Sequence, residues 1–432
     1  MDPLLPIVLI ITLFGLLGSG TWVAFSLIGV GFVGIQFFTG APAGQLAATS
    51  IWAATNNWAV TALPLFIWMA EILHTTRLAN DMFEGLAPWL IRLPGRLLHV
   101  NIIACGIFAA VSGSSAATAA TIAKITVPEL KKRNYDEGMT ICTLAGSGTL
   151  GLLIPPSVVL IIYGYVTDTS IARLFIAGVI PGFMMIFLFM SYTIVWALLN
   201  PGKTPPPDIH KTLGQRIWGS RRLIPVGGLI VLVIGSIYAG VATPTEAAAL
   251  GVAGSLFLSF IFRTLNWKNF YNSLMAATRT SCFIVFIVVA ASYLTTSMSF
   301  TGMPQAMAKY IVSMNLSVYG LIALLTVFYL VLGCFLDNYS MILLTMGIVQ
   351  PILETMGINL VWFGIFLVIT AEMAQLTPPI GFNLFVLQSF TGKNIFTIAR
   401  AAIPFFVLLM VGVVAITLFP QIVMYLPSKI LG

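Results

Sequence analysis

Two short stretches place neutral oxygens beside paired prolines inside otherwise apolar sequence. The first runs "AGSGTLGLLIPPSV" from Ala145 to Val158, and the second "AEMAQLTPPIGF" from Ala371 to Phe382. A proline has no N–H and clashes with the carbonyl four residues earlier. Pro155 and Pro156 are therefore expected to release the carbonyls of Gly151 and Leu152, and Pro378 and Pro379 those of Ala374 and Gln375. Ser147, Thr149 and Ser157 add hydroxyls to the first break; Thr370, Gln375 and Thr377 add oxygens to the second. Released carbonyls are costly in hydrocarbon unless something satisfies them. Sodium is a hard cation, and neutral carbonyls and hydroxyls suit it. Cation binding is thus one expectation. The other is a hinge that binds nothing, its carbonyls answered by water and Ser/Thr hydroxyls.

The elements around these breaks belong in a membrane. The 432 residues are 59% hydrophobic and 8% charged, against about 25% charged in soluble domains. Apolar runs recur throughout, and no alternating ten-residue strands of a barrel appear. The net charge of +7 is held in short loops, which is what orientation in a bilayer requires and is no nucleic-acid signal. Met1-Asp2-Pro3 lacks the basic start of a cleavable signal peptide. The four cysteines, Cys105, Cys142, Cys282 and Cys334, show no metal or disulfide spacing.

The segment 201–222, with Lys203, Lys211, Arg216, Arg221 and Arg222, reads as a cytoplasmic basic linker. Arg77 with Arg92 and Arg96, Lys131 to Arg133, and Arg263 with Lys268 belong on the same side. The stretches 167–170 and 240–246 then lie outside. Spans are expected at 4–18, 21–38, 58–75, 171–199, 223–241, 245–264, 280–298 and 395–425. Amphipathic stretches at 79–92 and 303–313 suit the membrane surface. Residues 97–133 begin and end on the cytoplasmic side, so they read as a re-entrant hairpin with its tip at Ser112–Ser115. Re-entrant backbone is tolerated only when buried in protein or lining a wet cavity. A second hairpin is expected at 316–353, around Gly333–Ser340, with proline-broken helices at 137–166 and 358–390.

The halves match at one offset. Adding 223 takes Pro128 to Pro351, Pro155 to Pro378, Pro156 to Pro379 and Pro181 to Pro404. The expected fold is an all-α polytopic membrane protein of two inverted repeats, 1–200 and 223–432. Each would hold five spans, counting its proline-broken helix, plus a re-entrant hairpin. Such repeats are typical of secondary transporters, whose sites lie at the midplane on discontinuous helices. The hairpin tips bring Ser112, Ser114, Ser115, Asp337, Asn338 and Ser340 to the breaks, giving two quasi-symmetric cation sites. The half-helix N-termini after the prolines suit an anionic substrate group. Ser114, Asp337, Asn338 and Asn383 are the substrate-binding candidates.

The motifs "PLFIWMAEIL" (Pro64–Leu73), "SGSSAATAATI" (Ser112–Ile122), "GTLGLLIPPS" (Gly148–Ser157), "TPTEAAALG" (Thr243–Gly251) and "TPPIGFNLFV" (Thr377–Val386) occur in this order. Across essentially the whole chain they resemble the large membrane subunit of the tripartite ATP-independent periplasmic (TRAP) transporters. The resemblance implies sodium-coupled uptake of organic acids and similar solutes by an elevator mechanism in the bacterial inner membrane. It implies two partners, a soluble periplasmic substrate-binding protein and a small four-helix membrane subunit, here separate. Both termini are expected to be periplasmic. It also implies sodium site 1 on Ser112, Gly113, Ser114 and Ser115 with Gly146, Thr149, Gly151, Leu152 and Pro155. Sodium site 2 falls on Gly333 and Asp337 with Thr370, Ala374, Gln375, Thr377 and Pro378.

Other ionisable residues carry two readings each. Asp337 either meets an ion or substrate, or bonds the backbone N–H groups of its own tip. Glu372 either joins the site or pairs with a basic residue; Glu71 is expected to pair with Arg77. Lys124 is expected to snorkel, Arg173 and Arg400 to be interfacial, and Glu246 to favour a helix N-terminus. His74, His99 and His210 lie near predicted span ends and form no catalytic or transition-metal cluster, so enzyme chemistry is not expected. No phosphate-binding loop of the GxxxxGK[ST] form occurs, which leaves an ion gradient as the energy source. A stand-alone sodium/carboxylate symporter of related architecture is the alternative.

Overall fold

The computed structural model describes residues 4–206, 212–379 and 381–430, and every regular element among them is helical. Asp208, His210 and Lys211 of the expected linker, and the first three residues, lie outside the described residues. The first helices are α1 (Leu4–Gly18), α2 (Val23–Phe38), α3 (Ala43–Thr55), α4 (Ala62–His74) and α5 (Leu78–Leu90). Helices α6 (Leu98–Ser112) and α7 (Ser115–Lys132) form a hairpin. Next come α8 (Glu137–Gly148), α9 (Leu150–Leu153) and, beyond the proline pair, α10 (Val158–Val166); the axis bends by 41° there. The long α11 (Ile171–Leu199) follows.

The second half starts with α12 (Leu213–Ser220), α13 (Ile224–Ile230) and α14 (Ser236–Tyr238), nearly continuous through a π turn at Val231–Gly235. Then come α15 (Pro244–Ile261), α16 (Trp267–Thr301), α17 (Met303–Ser313) and the hairpin α18 (Val318–Gly333) with α19 (Asn338–Thr355). Last are α20 (Leu360–Ala374), α21 (Phe382–Thr391), α22 (Ile395–Leu418) and α23 (Gln421–Ile430).

Five stretches among the described residues are long and apolar enough to cross a membrane: 171–199, 213–238, 244–261, 267–301 and 395–418. Two more qualify as bent pairs, 58–90 and 137–166. The chain is a multi-pass membrane protein. Large apolar side chains on these helices, such as Phe183, Phe187, Phe257 and Phe260, are exposed, as lipid-facing residues are.

Several expected boundaries are corrected. The linker 201–222 is not a loop throughout: Thr212 and Gln215 form a capping box that starts α12. Arg222 pairs there with Asp81 and Glu84 of α5. The span expected at 280–298 begins at Trp267 and runs 35 residues, about 52 Å at 1.5 Å per residue. That exceeds the roughly 30 Å hydrocarbon core. Helix α3 fills the stretch between the spans expected at 21–38 and 58–75, for which no element was expected. The span expected at 395–425 ends at Leu418, and Pro420 opens the separate α23.

Two sets of helix contacts stand out, joined through α16 on α19 and α5 on α6. Helix α16 lies along α2, α3 and α4, and α15 along α4. The hairpins and broken helices pack on each other across the halves: α7 on α21, α19 on α10, α8 on α22 and α20 on α11. Small residues permit the closest approaches. A Cβ added at Gly364 would stand 2.7 Å from the Tyr163 ring, and one at Gly178 would stand 2.7 Å from the Leu153 carbonyl.

Candidate functional site

The first hairpin turns at Gly113, whose φ of +59° is left-handed and favours glycine. Ser114 follows as N-cap of α7, its hydroxyl accepting from the Ala117 N–H at 3.4 Å. The Ser112 hydroxyl bonds that of Thr118 at 2.6 Å. This tip sits directly on the break. A Cβ added at Gly113 would lie 3.0 Å from the Pro156 carbonyl oxygen. One added at Gly151 would lie 2.5 Å from the Ser114 carbonyl oxygen and 2.6 Å from Ser115 Cα. Ser112, Gly113, Ser114, Ser115 and Gly151 are thus brought together, with Leu152 and Pro155 in the adjoining turn. Pro155-Pro156 is a cis peptide, and Ser157 caps α10 beyond it. Among the described residues no hydrogen bond reaches the carbonyls of Gly151 or Leu152.

Gly146 and Thr149 are used differently. The Gly146 carbonyl accepts both the N–H (3.1 Å) and the hydroxyl (2.5 Å) of Thr149, and the Phe405 ring of α22 covers the Gly146 Cα. A hydroxyl that donates to its own helix keeps its oxygen lone pairs.

The second tip repeats the contact with different side chains. A Cβ at Gly333 would lie 2.5 Å from that of Ala374. Asp337 caps α19: its Oδ2 accepts from the N–H groups of Tyr339 (3.1 Å) and Ser340 (3.3 Å), and its Oδ1 from the Ser340 hydroxyl. The tip bonds expected of Asp337 are thus present. Thr370 donates its hydroxyl to the Phe366 carbonyl at 2.9 Å. The carbonyl of Ala374, expected to be free, is not. It accepts the Thr377 N–H (3.0 Å) and hydroxyl (2.7 Å), because the helix tightens its last turn before Pro378-Pro379. That proline pair is also cis.

A directional chain joins this tip to the break. The Phe382 N–H donates to Gln375 Oε1 at 3.1 Å, Gln375 Nε2 to Asn338 Oδ1 at 2.8 Å, and Asn338 Nδ2 to Glu372 Oε1 at 3.4 Å. The backbone donor fixes the Gln375 orientation, and that in turn fixes Asn338. Asn383, one residue beyond Phe382, is fully buried, and among the described residues neither of its amide atoms has a hydrogen-bond partner.

Glu372 carried two readings, a site residue or the partner of a basic residue. The alternative of a basic partner does not hold: among the described residues no lysine, arginine or histidine pairs with it. Nor do Glu71 and Arg77 form an ion pair. Glu246 does cap its helix, completing a box with Thr243. Lys124, Arg173 and Arg400 are exposed. The signal for Glu372 was present in the sequence, as one carboxylate in an apolar segment a turn and a half before a proline pair.

Comparison with known proteins gives a consistent picture. The chain is 29% identical over 382 residues to the C4-dicarboxylate TRAP transporter large permease protein DctM of Pseudomonas aeruginosa, covering 88% of this chain and 89% of that one. It is 29% identical over 425 residues to the sialic acid TRAP transporter large permease protein SiaM of Vibrio cholerae, covering 97% of each. In fold it resembles the crystal structure of the Alcanivorax borkumensis YdaH transporter, with a TM-score of 0.58 at 12% identity over 86% of each chain. The family profile described as "Tripartite ATP-independent periplasmic transporter, DctM component" matches residues 10–422. The chain is therefore a transporter component rather than an enzyme, and it belongs to the DctM-component family of tripartite ATP-independent periplasmic transporters.

Proposed function

We propose that this chain is the large permease of a sodium-coupled, binding-protein-dependent importer of a small organic acid or similar solute. The observation that carries the reading is the pair of tip-to-break contacts, Ser114 on Gly151 and Gly333 on Ala374. Each brings a polar hairpin tip against a proline break whose oxygens suit a hard cation. One sodium ion is assigned to each break, with the Gly151 and Leu152 carbonyls and the Ser112–Ser115 tip at the first. At the second the oxygens come from Thr370, Gln375 and Thr377, with Asp337 holding the tip in shape.

An inverted repeat is supported by element boundaries. Helix α7 spans 115–132 and α19 spans 338–355; 338 − 115 and 355 − 132 are both 223. The contacts are reciprocal in the same sense, since α7 on α21 mirrors α19 on α10, and α8 on α22 mirrors α20 on α11. Such a bundle, packed against the set built on α16, suits an elevator movement. The buried Asn383 amide at the start of α21, unpartnered among the described residues, offers a donor to a substrate carboxylate. The acids named for the Pseudomonas and Vibrio relatives carry carboxylates too.

The assembly would lie in the bacterial inner membrane with both termini periplasmic, beside a small four-helix membrane subunit and a soluble periplasmic binding protein. Reconstitution of the three proteins into liposomes tests this. Uptake should need inward sodium and the loaded binding protein, and should cease when choline replaces sodium. Uptake driven by protons alone would overturn the coupling. Full uptake of free substrate by this chain alone would favour a stand-alone symporter.

A further inference from the structure

One charge near the tips is left unanswered. Glu372 is 1% exposed on α20. Among the described residues its Oε1 accepts one hydrogen bond, 3.4 Å from Asn338, and its Oε2 has no hydrogen-bond partner. The Ser115 hydroxyl is its polar neighbour from the first tip. Ser115 and Asn338 are the first residues of α7 and α19. The carboxylate therefore stands where the N-termini of both hairpin helices converge.

An ionised carboxylate without a counter-charge is strongly disfavoured in such surroundings. A proton would also remove the charge, with the Ser115 hydroxyl oxygen as acceptor for the new O–H, and such a proton site differs in its pH dependence. A hard monovalent cation answers the charge and the open oxygen together, and the Ser115 hydroxyl has lone pairs to add. Asp337 already accepts three hydrogen bonds in capping α19, which leaves Glu372 the less engaged carboxylate.

We propose that Glu372 is the anionic ligand of a further sodium ion, bound between the two hairpin tips and additional to the two ions assigned to the breaks. The proposal rests on the sodium reading above. It makes one ion sense both tips, through Ser115 on one side and the Asn338–Gln375 chain on the other.

The test uses the complete transporter with its membrane partner, comparing wild type with Glu372→Gln. Ligand that binds only the folded state raises its unfolding temperature. Sodium chloride should raise that of wild type relative to equimolar choline chloride, and most of the rise should disappear in E372Q. In liposomes with the binding protein, E372Q should need at least tenfold more sodium for half-maximal uptake and show a lower Hill coefficient. Unchanged sodium dependence in E372Q overturns the proposal, and so does intact sodium dependence with loss of the pH dependence of uptake, which marks a proton site. If E372Q does not fold, equilibrium binding of radiosodium to wild type decides: three ions per chain support the site, two or fewer refute it. If wild type shows no sodium response at all, the coupling reading itself fails.

Discussion

Gly151 lies beneath the carbonyl of Ser114, so closely that a Cβ on it would stand 2.5 Å from that oxygen and 2.6 Å from Ser115 Cα. The obstructing atoms are backbone and cannot rotate aside. Gly151→Ala should push the first tip off the break, and overpacking of this kind costs about 1–3 kcal/mol. The expected result is a lower unfolding temperature together with weaker apparent sodium affinity in uptake. Gly15→Ala, in α1 with nothing within 4 Å of the new Cβ, is the control and should leave both unchanged. Wild-type behaviour of G151A would mean that the tip need not seat on the break.

Gln375 is the middle of a one-way chain, so its replacements should rank by what they strand. Gln375→Leu leaves the Phe382 N–H and Asn338 Oδ1 without partners, at about 1–3 kcal/mol for each buried group. Gln375→Glu keeps an acceptor for Phe382 but has no donor for Asn338, and it adds a carboxylate beside Glu372. We expect Q375E to be the worse of the two despite its closer shape, with sodium-driven uptake lost. Equal stability of Q375E and Q375L in thermal unfolding would contradict the chain.

Asp337 and Ser114 occupy equivalent places, each the N-cap of the second helix of its hairpin. Removing a cap costs about 1 kcal/mol, whereas Asn caps nearly as well as Asp. Asp337→Ala should therefore lower stability and impair uptake, and Asp337→Asn should retain both. Loss of sodium-dependent uptake in D337N at wild-type stability would return the charge of Asp337 to the ion site.

The breaks and tips were legible because prolines and polar residues are rare in apolar sequence and therefore conspicuous. Two other stretches were not. Helix α3 reads "AGQLAATSIWAAT", small and polar, and the start of α16 carries Lys268, Asn269 and Asn272. Neither resembles a span, yet both are helical: α3 packs along the later part of α16, with Ser50 bonded to Thr296 and the Tyr293 hydroxyl to the Ala43 carbonyl, and the start of α16 sets Phe270 against Trp68 of α4. They also correspond, since adding 223 to Ala43 gives Asn266, the N-cap of α16. The start of α12 was readable after all, in the spacing of Thr212 and Gln215. The fate of the Ala374 carbonyl was not, because whether a last turn tightens onto Thr377 depends on geometry that residue types do not encode. Glu372 was visible as a charge, but its lack of a partner is a tertiary fact.

The ion pairs at one end of the molecule give a direct test of orientation. Lys393, between α21 and α22, pairs with Glu137 at the start of α8 at 3.0 Å, and Lys203 approaches Asp136 at 3.7 Å. With side chains 44% and 52% exposed, the Lys393–Glu137 pair should contribute no more than about 1 kcal/mol and less at high salt. Lys393→Cys is thus expected to fold normally. The proposed orientation puts this positively charged end in the cytoplasm, and Val241, 81% exposed between α14 and α15, on the opposite side. In a background with the exposed Cys282 replaced by serine, a membrane-impermeant maleimide added to whole cells or right-side-out vesicles should label Val241→Cys. Lys393→Cys should be labelled only in inverted vesicles. Labelling of both from the same side would invalidate the topology, and with it the placement of the two hairpins on opposite faces of the membrane.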